Sequence, residues 1–161
     1  MPPKGNLAKA TITDLVRGSD FEVMFNPNEY VLTKSATYSE TTPDNVNTTY
    51  ISFVHGRRRE LTMDLFFDTT DIEGDENSDA NVMKQTMAIE KLMDAEIDSD
   101  GKFTPPTLEF KWGPFRFMCV LRDVVEQFTK FDQDGVPKRA ILRCSFEEYC
   151  SSEKNNQTTD K

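Results

Sequence analysis

Histidine, cysteine, positive charge and long apolar runs are all scarce in this sequence, and each shortage removes a class of function. The 161 residues hold one histidine, His55, so acid–base catalysis would fall to that ring or to carboxylates. Gly56-Arg57-Arg58-Arg59 follows it with no nucleophile motif nearby, and no GxSxG, HExxH, phosphate-binding P-loop or GxGxxG occurs. The sequence predicts no enzyme. Three cysteines, Cys119, Cys144 and Cys150, form no CxxC pair. Structural zinc needs about four ligands at close spacing, so neither a metal nor any other cofactor is expected. Cys119 and Cys144 lie in alternating apolar stretches and read as small buried hydrophobes. The longest wholly apolar run, Phe117 to Leu121, is five residues, against the roughly 20 a membrane-spanning helix needs. Met1-Pro2-Pro3-Lys4-Gly5 has no signal-peptide stretch. The expectation is cytoplasmic synthesis and assembly without membrane insertion. Lysine and arginine number 19 against 28 acids, a net charge of −9. That sign opposes binding to nucleic acid or to an anionic membrane.

What is present is alternation with period two, the mark of half-buried antiparallel strands. Leu61, Met63, Leu65 and Phe67 share one face of 60–68, with Thr62 and Asp64 on the other. Leu108, Phe110 and Trp112 form a second row, Phe115, Phe117, Cys119 and Leu121 a third, and Phe21, Val23 and Phe25 a fourth. Residues 7–16 and 30–38 read as weaker strands. Strands at 124–131 and 136–147 flank Asp132-Gln133-Asp134-Gly135, where Asp-Gly supplies the positive φ of a tight hairpin turn. Ala140, Leu142, Cys144 and Phe146 face one way on the returning strand. The apolar parity switches between Leu121 and Val124, which predicts a bulge near Asp123.

Residues 80–95 break the pattern. Val82, Met83, Thr86, Met87, Ile89, Leu92 and Met93 recur at helical spacing, with Ser78 or Asp79 as the expected N-cap and Met83, Met87 and Met93 as expected core. Such a helix packs on a sheet or plugs one end of a barrel. Residues 39–58 read as a long polar loop whose interior holds Tyr50-Ile51-Ser52-Phe53-Val54, an apolar patch that needs cover. Asp71-Ile72-Glu73-Gly74-Asp75-Glu76 alternates acids like a calcium loop. Glu76 stands where that loop requires glycine, and residue 82 is Val, so the stretch reads as a solvated acidic loop. Arg57, Arg58 and Arg59 against Asp71, Glu73, Asp75 and Glu76 suggest electrostatic docking between subunits. The chain divides into one domain, 1–149, and a flexible tail or linker, 150–161.

Several pieces fall in a familiar order: Phe25-Asn26-Pro27-Asn28-Glu29-Tyr30, the strand Leu61 to Asp68, a helix, Pro106-Thr107-Leu108-Glu109-Phe110-Lys111-Trp112-Gly113, and Asp134-Gly135-Val136-Pro137-Lys138-Arg139-Ala140. Together they resemble the tube-type N-terminal domain of contractile injection system proteins, which form phage-tail-like particles. The resemblance spans about residues 7–149. It implies a mainly β chain with one helix, built as a tail-tube-like antiparallel β-barrel or sandwich. It also implies a ring, most simply a hexamer, in a baseplate that joins the central spike or hub to the inner tube. The implied partners are other copies of the chain, the spike/hub protein, the inner-tube or tube-initiator protein, and baseplate or sheath components. In such a ring Tyr50, Ile51, Phe53 and Val54 form an arm laid on the adjacent copy. Family members commonly continue through a linker into a LysM domain, which would begin where this chain stops, and Cys119 stands where the family pattern has glycine. Two rival expectations share the strand pattern. One is a monomeric or dimeric β-sandwich interaction module; the other is a lipocalin-like carrier with the methionine-rich helix lining its pocket.

Overall fold

The computed structural model describes residues 7–97 and 99–149. In chain order it runs β1 (Thr11–Asp14), β2 (Asp20–Glu22), β3 (Tyr30–Thr33), β4 (Ala36–Thr41), β5 (Tyr50–Gly56) and β6 (Glu60–Asp68). Helix α1 (Met83–Glu90) follows and tightens into a 3-10 turn at Lys91–Met93. Then come β7 (Glu96–Ile97), β8 (Phe103–Thr104), β9 (Leu108–Trp112), β10 (Phe115–Phe131) and β11 (Pro137–Glu148). The protein is mainly β with one α-helix among the described residues, as expected. Cys150 and the 150–161 tail lie outside those residues.

Seven strands form one antiparallel sheet in the order β2-β1-β9-β10-β11-β6-β3, while β4-β5 and β7-β8 are separate two-stranded ribbons. The alternating rows point where their spacing predicts. Leu61, Met63, Leu65 and Phe67 on β6 are buried, as are Ala140, Leu142, Cys144 and Phe146 on β11. The row from Phe21 is shorter than expected. β2 ends at Glu22, so Val23 is buried but Phe25 turns outward. The Asp-Gly hairpin forms as read: Gly135 sits at φ +80°, and the Asp132 carboxylate accepts from the backbone N–H of Asp134 at 2.8 Å and Val136 at 2.9 Å.

The expected bulge is present. Leu121 pairs with Phe146 and Asp123 with Ser145, so Arg122 is the extra residue. Upstream, Phe117, Cys119 and Leu121 point inward; downstream, Val124 and Phe128 do. A bulge bends its strand and sharpens the twist, and here the two halves of the sheet face each other across the core. Phe110 on β9 meets Phe146 on β11 at 6.2 Å between ring centroids. Tyr30 on β3 stacks on Phe115 of β10 at 4.9 Å.

A closed barrel is not formed. The hydrogen-bonded ladder ends at β2 on one side and β3 on the other. The connection between them, residues 23–29, contains Pro27, which has no N–H to give a ladder. Side chains span the gap instead. Asn26 accepts from the Ala10 N–H through Oδ1 at 2.9 Å and donates to the Ala8 carbonyl through Nδ2 at 2.9 Å. Trp112 Nε1 donates to the same carbonyl at 3.1 Å. The Asp68 N–H donates to Met24 Sδ at 3.3 Å, and Phe25 packs on Phe66 at 5.5 Å. Met24, Phe25 and Asn26 in the connection therefore link the segment before β1 to β6 across the open side of the sheet.

The helix buries Val82, Thr86 and Ile89, with Leu92 following in the 3-10 turn. It anchors near the ends of β6 and β11. Val82 N–H donates to the Pro137 carbonyl at 3.0 Å, and Thr69 Oγ1 donates to the Ala80 carbonyl at 2.6 Å. The methionine stripe is not core: Met83, Met87 and Met93 are all exposed. A helix this short presents one narrow face inward, and the branched residues occupy it. Nor do Ser78 or Asp79 cap it. Asn81 Oδ1 takes the Met83 N–H at 3.0 Å, while Ser78 Oγ serves the preceding turn at Ala80. On the opposite side, the β1–β2 turn is tied to the β7–β8 ribbon by Arg17, 2.6 Å from Glu96.

Beneath the helix, Glu126 of β10 turns inward toward Thr86 and Glu90, and its Oε1 is buried without a hydrogen-bond partner. Burial, followed by the Glu90 carboxyl, raises its pKa from 4.5 to about 7, with Thr86 acting weakly the other way. The folded state then holds a proton that the unfolded chain releases, so stability is highest below about pH 4.5 for this group and falls as pH rises toward 7. Glu126→Gln is expected to remove that decline, a difference of about 1–2 kcal/mol after allowance for partial solvent access. Urea unfolding at pH 5 and pH 8 checks it, and an undiminished slope in the variant would contradict it.

Candidate assembly surfaces

Residues 39–58 are not an irregular loop. Half of them belong to the β4–β5 ribbon, with Tyr38 opposite Phe53, Glu40 opposite Ile51 and Thr41 opposite Tyr50. Tyr50-Ile51-Ser52-Phe53-Val54 mixes β-branched and aromatic residues, the composition that favours a pleated strand. Residues 42–49, with Pro43, form the connecting loop, held by a contact between the Thr42 and Thr49 hydroxyls at 3.1 Å.

The ribbon stands off the sheet with apolar side chains on both faces. Ile51 and Phe53 point one way with Tyr38, and Tyr50 and Val54 the other. Their exposures are 57% for Tyr50, 66% for Ile51, 63% for Phe53 and 52% for Val54. The arm residues singled out in the sequence thus lie together and uncovered. An isolated two-stranded ribbon is marginal in water. The internal support visible here is the Tyr38–Phe53 edge contact at 5.7 Å and a root pinned by the Arg57 N–H on the Ser35 carbonyl at 2.9 Å.

At that root the three arginines separate. Arg57 donates from Nε to the Thr37 hydroxyl at 3.0 Å. Arg59 makes a two-pronged pair with Glu148, at 3.0 and 3.1 Å, and its guanidinium lies 5.3 Å from the Phe117 ring centre. The Arg59 hydrogen bonds hold the Glu148 pKa below the ordinary carboxylate range. Arg58 and Arg122 both reach only 4.0 Å from Glu147. Together with Thr33, Ser35, His55, Gly56, Glu60 and Arg57 they line a cleft of about 390 Å³.

The acidic stretch lies beyond the far end of β6. Asp71, Glu73, Asp75 and Glu76 are all exposed, and the structure does not bring them to the arginines within one chain. A second open groove, of about 770 Å³, runs over the outer face of β6 and β11, lined by Phe25, Val31, Phe66, Ile141 and Arg143 among others. Sequence reading missed this groove because Phe66 breaks the alternation it relied on. It also missed Arg122, although the parity switch beside it was visible.

The fold and its protruding ribbon define a β-structured assembly protein. The chain belongs to the contractile injection system tube protein family, whose model matches residues 6–157. A comparison with curated proteins found no match. The family is structural, so the chain is a component of a contractile injection particle.

Proposed function

We propose that this chain is a ring-forming adaptor, six copies joining the central spike or hub of the particle to the first ring of the inner tube. The observation that carries the assembly half of this reading is the ribbon, with apolar side chains on both faces that no other described residue covers. In the ring, Tyr50, Ile51, Phe53 and Val54 lie on the adjacent copy. The groove beside β3 suits that role. Phe25, Val31 and Phe66 give it an apolar lining, and β3 ends the sheet with an edge that an added strand can extend. The placement between hub and tube rests on the family resemblance of the motif order. Electron microscopy of the chain mixed with the hub and tube subunits of its own particle tests it. A single ring at the hub–tube junction is expected. Rings repeated along the whole tube, or none at the junction, would overturn the adaptor placement.

A further inference from the structure

We infer that the cleft at the ribbon's root receives the acidic loop of a second copy, head to tail, with Arg58 and the bulge residue Arg122 as its principal cations. This deepens the self-assembly reading above and rests on it.

The cleft is charged, and its guanidiniums are under-used. Arg58 and Arg122 are each 58% exposed, and each lies 4.0 Å from Glu147, with Arg122 also 3.6 Å from Asp123. A guanidinium offers five N–H donors in a fork matched to carboxylates. Arg59 lies elsewhere, held between Glu148 and Phe117. Arg122 is the bulge residue of β10, without a pairing partner on β11, and its outward side chain lines the cleft.

The matching charge is in residues 71–76. Among the described residues, none of Asp71, Glu73, Asp75 and Glu76 enters an ion pair. The nearby Lys84 donates to the Asn77 backbone carbonyl, not to a carboxylate. Glu60, in the cleft, opens β6, and the acidic loop follows Asp68, which closes it. Nine residues of strand set the two surfaces roughly 27 Å apart at about 3.4 Å per residue. One copy cannot satisfy both. Copies set the same way up bring the cleft of one against the loop of the next, a heterologous contact that repeats and closes into a ring or continues as a stack.

The test is a charge exchange. One variant carries Arg58→Glu with Arg122→Glu; the other carries Asp71→Lys, Glu73→Lys and Asp75→Lys. Each alone sets like charges against each other, whereas in an equimolar mixture every cleft again meets a loop of opposite sign. Sedimentation at about 50 mM salt, where screening is weak, is expected to show each variant associating about tenfold or more weakly than the parent chain. The mixture should recover most of the loss. A mixture no better than its parts, variants that associate like the parent, or a parent chain that stays monomeric would each overturn the inference. Assembly that stops at two copies would overturn the head-to-tail arrangement. Ile51→Asp with Phe53→Asp separates the two readings. If it abolishes association while the charge variants do not, the ribbon reading stands and the cleft contact falls. If neither set has an effect, both fall.

Discussion

Phe110→Ala is expected to lower the free energy of unfolding by about 3–5 kcal/mol, the range for removing a fully buried aromatic ring. Phe110 has no exposed surface and sits where the two halves of the folded sheet meet. Its ring contacts Tyr30 at 6.5 Å, Phe115 at 6.0 Å and Phe146 at 6.2 Å. Those neighbours come from three different strands, so no single side-chain movement fills the space left behind. A domain of this size is stable by roughly 5–15 kcal/mol, so the variant should be close to its limit. The measurement is the urea midpoint, with the slope of the transition unchanged. A loss under about 1 kcal/mol would mean that the sheet halves do not share one core.

The second large effect falls on association more than on folding. Ile51→Asp with Phe53→Asp replaces two side chains that are mostly exposed in the single copy, so the free energy of unfolding should fall by no more than about 1.5 kcal/mol, the scale of the lost Tyr38–Phe53 contact. If a neighbouring copy buries both, each contributes roughly 1.5–3 kcal/mol. Their loss, with carboxylates left in the contact, should weaken association by about a hundredfold or more. Sedimentation and negative-stain microscopy read the association, and urea unfolding reads the fold. Intact rings in the double variant would end the case for the ribbon as an arm. A large fall in stability would show that the ribbon belongs to the chain's own core.

The two predictions divide along a line that also separates what the sequence made legible from what it did not. Strands with one face in the core announced themselves, because burial forces alternation: Leu61 to Phe67 and Ala140 to Phe146 were readable residue by residue. The bulge was readable too, as a slip in parity between Leu121 and Val124. The β4–β5 ribbon was not. Both of its faces carry apolar side chains, so Tyr50 to Val54 shows no polar–apolar rhythm, and within polar surroundings it looks like loop. The helix misled in another way. Helical spacing located it, but spacing alone cannot rank Met83 and Met87 against Val82 and Ile89 for the inner face. Tertiary contact chose the residues nearer Pro137. How the open edges of the sheet are linked was the least legible of all, because it depends on what Met24, Phe25 and Asn26 reach across the fold. The arginine run was visible as a cluster, yet Glu148 claims one member and Arg122, distant in sequence, joins the others.

The same linkage gives the molecule a seam. Where strands pair edge to edge, opening a barrel means breaking a whole row of backbone bonds together. Here the Asn26 amide, the Met24 thioether and the Phe25 ring hold the connection to its two sides, so the least costly way for this fold to part runs along that line. A subunit stitched in this manner can loosen at its border while its long central strands stay paired.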